Sequence, residues 1–109
     1  MGSTGDNISA SSASWTFSGP VATTFDDHVS KSVPGYSLGH QLICIYSDFF
    51  VSLPSKRIYD IGSSTGQLIS ILDNRHRDHN LEFVGIEPVQ EMINQSQTNH
   101  CFRDNVSFL

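Results

Sequence analysis

The segment Arg57-Ile58-Tyr59-Asp60-Ile61-Gly62-Ser63-Ser64-Thr65-Gly66 ends a short apolar run in an acid and then brackets a turn with two glycines. Further along, Glu87 closes a second apolar run, Phe83-Val84-Gly85-Ile86. A strand, a glycine turn, an amphipathic helix and an acid-tipped second strand make one nucleotide-binding βαβ unit. Gly62 and Gly66 can take backbone angles closed to other residues and let the main chain approach a ligand closely. Ser63, Ser64 and Thr65 bring hydroxyls and free N–H groups to a helix start, which makes a cradle for a small anionic group. The dinucleotide spacing G-x-G-x-x-G is not met, because Ser64 stands at the usual second glycine. The turn therefore suits a carboxylate better than a pyrophosphate. Asp60 is placed to contact a ligand amino group through the turn or a water, and Glu87 to accept from ribose hydroxyls while disfavouring a 2′-phosphate. S-adenosylmethionine, with its carboxylate and bare ribose, meets both conditions. The same glycine spacing also occurs in tight βα turns that hold no ligand.

Three segments carry a family resemblance: Trp15-Thr16-Phe17, then Phe25 to Ser37 with its Ser32-Val33-Pro34-Gly35-Tyr36-Ser37 run, then Tyr59 to Gly66. On these the chain resembles the class I S-adenosylmethionine-dependent methyltransferases, and within them the carboxy-S-adenosylmethionine synthases, which serve the modification of tRNA wobble uridines. The Ser-Val-Pro-Gly-Tyr-Ser run is the more specific signal, and a serine at the Ser64 position is itself a family feature. The resemblance implies a Rossmann-like, doubly wound parallel α/β sheet, seen here as its first half. It also implies that Tyr36 touches the methionine end of the ligand, that Gly62, Ser63 and Ser64 wrap it, and that Glu87 and Pro88 bind the ribose side. Glu87 replaces the family's usual Asp, one methylene longer. The cofactor implied is S-adenosyl-L-methionine, S-adenosylhomocysteine or carboxy-S-adenosylmethionine. No catalytic residue is expected in this half, since an activated sulfonium chiefly needs alignment.

The elements that must position these residues follow from periodicity. Residues 1–14, rich in Ser, Gly, Ala and Asn, read as a disordered segment. Residues 15–56 read as a helical lid, with Trp15 and Phe17 in an ordered arm and a helix from Phe25 to Ser32 ended by Val33-Pro34. A second helix runs from Ser37 to Phe50, its Leu38, Leu42, Ile43, Ile45, Tyr46, Phe49 and Phe50 covering the sheet as core, until Pro54 breaks it. Val33-Pro34-Gly35 would turn the chain so that the Tyr36 phenol reaches over the glycine turn. The competing reading has Tyr36 cap this helix and pack on Leu38 or His40.

Residues 57–109 read as the first βαβ half of the ligand-binding domain. Its strands are Arg57–Ile61 and Leu81–Ile86, the latter buried on both faces. One helix covers Gly66–Asp73, with Leu68, Ile69, Ile71 and Leu72 facing the sheet. Another begins at Pro88 and turns Val89, Met92 and Ile93 inward. Asn105 to Leu109 starts a third strand, and the exposed sheet edge this implies points to a fragment, or to completion by a homodimer partner or a complementing C-terminal half.

Composition narrows the partners. The net charge of −5 over 109 residues opposes a broad nucleic-acid surface, and no apolar run approaches a membrane span. Cys44 and Cys101 lack metal or redox spacing and read as buried thiols of a reducing, cytoplasmic compartment. The His76 to His79 cluster reads as a polar loop rather than a metal site. Three functions stay open: an S-adenosylmethionine-dependent transferase or its cofactor-binding part, a non-catalytic module that keeps the βαβ unit, and a piece of a nicotinamide-dependent oxidoreductase. The acceptor substrate lies beyond what these residues specify.

Overall fold

The computed structural model describes residues 20–52 and 57–109. The expected terminal segment, the Trp15/Phe17 arm and Pro54 lie outside them. Along the chain come α1 (Pro20–Ser32), α2 (Tyr36–Phe50), β1 (Arg57–Ile61), α3 (Gln67–Arg75), β2 (Glu82–Ile86), α4 (Gln90–Asn99) and β3 (Val106–Phe108). The strands form one sheet in the order β1-β2-β3, parallel throughout. Ile58 stands opposite Phe83, Asp60 opposite Gly85, and Gly85 opposite Phe108. Two successive βαβ crossovers thus build a partial Rossmann-like α/β fold, the architecture that alternating strand and helix patterns imply.

One face of the sheet carries the core. Phe83 meets Ile69 and Leu72 of α3, Cys44 of α2, and Leu81 and Val51, with Ile58, Leu68, Phe102, Val106 and Phe108 packed around them. Ala22 of α1 and Met92 of α4 form a smaller cluster with Phe25 and Val89. Gly85 is required here by space. A Cβ at that position would lie 2.7 Å from the Phe108 ring and 2.8 Å from Ser63 Oγ.

Polar contacts pin the same side. Arg103 donates to both carboxylate oxygens of Asp73, at 3.1 and 2.5 Å, and Asn105 bridges Asp73 to the Leu81 carbonyl. The Arg103 guanidinium holds the Asp73 carboxyl below the usual carboxylate range. Arg75 forks onto Asp48, linking α3 to α2. Beside it the buried His76 ring lies 2.7 Å from Ser47 Oγ. Burial pushes this imidazole down, against the opposing pull of Asp48.

Several elements differ from the sequence reading. The helix expected from Phe25 begins at Pro20. Of α2 only Cys44 is buried, and the apolar residues assigned to the core, Leu38, Leu42, Ile43, Ile45, Tyr46, Phe49 and Phe50, are all exposed. Periodicity there signals apolar surface that needs a partner, and among the described residues none lies against it. The second strand is not buried on both faces, since its burial alternates, with Phe83 and Gly85 inside and Glu82 outside. Ile71 faces out, and Cys101 is exposed rather than buried. Pro88 precedes α4 instead of opening it, with Val89 as the extended N-cap.

Candidate functional site

The glycine turn joins the carboxyl end of β1 to α3. Gly62 and Gly66 both have left-handed angles (φ 76° and 74°), as tight βα turns with glycine allow. Ser64, at φ 53°, is the one non-glycine residue of positive φ among those described. Its strained conformation is held by Glu87. The Ser64 N–H donates to Glu87 Oε1 at 2.9 Å, and the Val89 N–H donates to Oε2 at 3.0 Å. A buried carboxylate thus ties the turn to the loop before α4.

Three further turn amides are engaged as well. Gly62 and Ser63 both donate to the Ile86 carbonyl, and Gly66 donates to that of Ser63. The expectation of free N–H groups at Ser63 and Ser64 is therefore corrected, because main-chain and carboxylate acceptors already hold them. The Ser64 hydroxyl donates to the Gly62 carbonyl, and that of Thr65 to Asp26 of α1. Ser63 Oγ, deeply buried, has no partner among the described residues.

A small, open cleft lies above this turn, lined by Tyr36, His40, Asp60, Gly62, Ser63, Ser64, Thr65, Gln67 and Leu68. One wall is α2, whose N-cap Gly35 takes a left-handed turn (φ 75°) that starts the helix at Tyr36. Tyr36 and His40, one helical turn apart, put their ring centroids 4.5 Å from each other. The opposite side is the end of β1, with half-buried Asp60. Burial pushes the Asp60 carboxyl up, aided by Glu87 and opposed by His40. Burial and the charges of Asp26 and Asp60 push the Tyr36 phenol up, so it remains a protonated donor.

Of the residues singled out from sequence, Tyr36, Asp60, Gly62, Ser63 and Ser64 line this one cleft. Gly66 caps α3 directly behind it. Glu87 and Pro88 stand outside its lining, Glu87 as the clamp of the turn. His40 enters the sequence reading only as a packing partner of Tyr36 in the competing reading, a contact that the ring pair shows, and not as a site candidate.

The described residues hold no cluster of three or more His, Cys, Asp or Glu able to bind a metal. No described helix is long and apolar enough to cross a membrane.

No family model matches the chain. A solved complex between the Haloferax volcanii Trm112 methyltransferase activator and a methyltransferase contains a chain with 16% identity and a TM-score of 0.42, over 69% of this chain and 34% of that one. Curated relatives are more similar. The carboxy-S-adenosyl-L-methionine synthase of Staphylococcus epidermidis is 38% identical over 96 residues, covering 87% of this chain and 41% of its own length. That of Methylococcus capsulatus is 34% identical over 96 residues, covering 85% and 39%, and an Escherichia coli enzyme is 38% identical over 80 residues, covering 72% and 32%. The resemblance carried by the glycine turn and the Ser-Val-Pro-Gly-Tyr-Ser run is thus borne out across most of the chain: it is similar to the carboxy-S-adenosyl-L-methionine synthases, and spans about two fifths of the length of the Staphylococcus epidermidis and Methylococcus capsulatus enzymes.

Proposed function

We propose that this chain is the cofactor-binding part of an S-adenosylmethionine-dependent, methyltransferase-like protein, and that the cleft above the glycine turn receives the amino-acid end of S-adenosyl-L-methionine or its carboxy derivative. The observation that carries this reading is a meeting of distant segments. Tyr36, from the Ser-Val-Pro-Gly-Tyr-Ser run, and Asp60, Ser63 and Ser64, from the turn, line the same small cleft. Both stretches are among those on which the chain resembles the synthases. The site also sits at the carboxyl end of a parallel strand, where open α/β sheets bind ligands.

The residues present fit such a group. Asp60 offers a carboxylate to an ammonium, and Tyr36 a phenolic donor to a carboxylate. Glu87 retains lone pairs beyond the two N–H bonds it accepts, enough to take a ribose hydroxyl beside Pro88. When bound, the sulfonium supplies an activated carbon for transfer. The chain's own task is to orient that group and shield it, which needs no nucleophile or base in this region. By the family resemblance, the product serves the modification of tRNA wobble uridines in the cytoplasm.

Calorimetry with S-adenosylhomocysteine and NAD tests the reading. Tighter binding of S-adenosylhomocysteine is expected, because Asp60 and Tyr36 offer partners to an ammonium and a carboxylate, groups that NAD does not carry. Tighter binding of NAD would overturn it.

A further inference from the structure

The glycine turn itself spends most of its main-chain donors internally. The N–H groups of Gly62, Ser63, Ser64 and Gly66 already donate to Ile86, Glu87 or Ser63 oxygens, and the hydroxyls of Ser64 and Thr65 are also engaged. A buried charged group needs several hydrogen bonds to offset its desolvation. Main-chain donors remain at Thr65, Gln67 and Leu68. Side-chain donors come from the α2 wall, where the lining offers the Tyr36 hydroxyl and the His40 imidazole, one helical turn apart with tilted rings, and from the Gln67 amide.

Of all the lining residues only His40 can carry positive charge, and Asp60 is the only acid among them. Within one small cleft Asp60 thus offers an acceptor for an ammonium and His40 a donor for a carboxylate. That pattern matches an α-amino acid zwitterion: ammonium toward Asp60, carboxylate toward His40. An imidazole donates an N–H to a carboxylate in either of its protonation states, so the match does not require a particular pH. Hydrogen bonds of this charge-assisted kind are about twice as strong as neutral ones.

We propose that His40 is a specificity-determining residue of the cleft, which reads the carboxylate at the amino-acid end of the ligand together with the Tyr36 hydroxyl, while Asp60 reads the ammonium. The assignment rests on the reading of the cleft as an S-adenosylmethionine site. It adds a selectivity that the glycine turn alone lacks, namely for thioether nucleosides that keep an amino-acid arm over those that have lost it.

The test compares two ligands that share adenosine and a thioether, S-adenosylhomocysteine and 5′-methylthioadenosine, of which only the first has the amino-acid arm. Titration calorimetry on the chain, its His40→Ala variant and its His40→Gln variant gives six affinities. His40→Ala is expected to weaken S-adenosylhomocysteine about 10-fold or more, the scale of a hydrogen bond to a charged group, and to leave 5′-methylthioadenosine within about twofold. His40→Gln, which keeps a donor and the helix, is expected to recover part of the loss. Equal losses for both ligands, or no loss for S-adenosylhomocysteine, would overturn the role of His40 while leaving the cofactor reading standing. A chain that binds neither ligand before mutation would overturn the cofactor reading itself and the role of His40 with it.

Discussion

The two faces of the sheet are built from the same strands and end in opposite states. On one, Ile58, Phe83, Val106 and Phe108 lie beneath Ile69 and Leu72 of α3 and Cys44 of α2. On the other, Tyr59 and Ile61 of β1 are exposed, Ile61 to 81%, although they are as apolar as their buried neighbours. The outward side of α2 behaves in the same way, with Phe49 and Phe50 largely exposed. Apolar residues in a strand or helix create a demand for burial, but which of them obtain it depends on which layers are present. Among the described residues, layers are present on one side only.

The sharpest way to break this comparison is to truncate one aromatic from each region. Phe83→Ala is expected to cost about 3–5 kcal/mol of stability, as loss of a buried phenylalanine does. Phe49→Ala should change stability by no more than about 0.5 kcal/mol, because its ring is exposed. Urea melts of both variants check this. A comparable loss from Phe49→Ala would show that the outward side of α2 is covered in solution.

Next in size is the clamp at the turn. Glu87→Ala is expected to lower stability by about 1.5–3 kcal/mol, since it strands the buried N–H groups of Ser64 and Val89 that its carboxylate accepts from. Ligand affinity should fall with it, because Ser64 loses what holds its left-handed angle. An unchanged melt with weakened binding would make Glu87 a ligand contact alone.

The smallest effect concerns pH at the α2–α3 seam. His76 is buried beside Ser47, Asp48, Arg75 and His79, and burial lowers its folded pKa below the ordinary imidazole value of 6.5. The unfolded chain then takes up a proton sooner than the folded one as pH drops. Stability from the neutral ring is complete above that value and is lost on its acid side. His76→Gln should flatten this limb of a stability–pH curve while leaving the further loss at lower pH, where the paired Asp73 is protonated. An unaltered acid limb would remove His76 from the account.

Much of the fold could be read from local pattern. Arg57–Ile61 was bounded by periodicity and the glycine that follows, and the turn, α2 and β3 came from the same kind of signal. The cleft was legible in part, because Tyr36 and Asp60 belong to recognisable motifs. What was missed depends on contacts across the chain. That Glu87 closes the turn through Ser64 is a pairing of distant residues, invisible to any window of sequence. The outward side of α2 was misread because a helical repeat of apolar residues reports a need for cover and not its fulfilment. His40, read only as a packing partner of Tyr36, was given no site role because a lone histidine in a helix carries no pattern of its own until Tyr36 is known to face the turn.

Gly85 carries a consequence for how freely the sequence can vary. It sits near the carboxyl end of β2, where an added Cβ would come too close both to Ser63 of the cleft lining and to Phe108 of β3. Any larger residue there must displace both, so a single methyl group would be felt at once in the cleft and at the far edge of the sheet. Gly39, with open space around it, has no such neighbours. In a library that samples every substitution, position 85 should therefore be close to invariant while position 39 accepts alanine freely, and the few survivors at 85 should carry a smaller residue at 108.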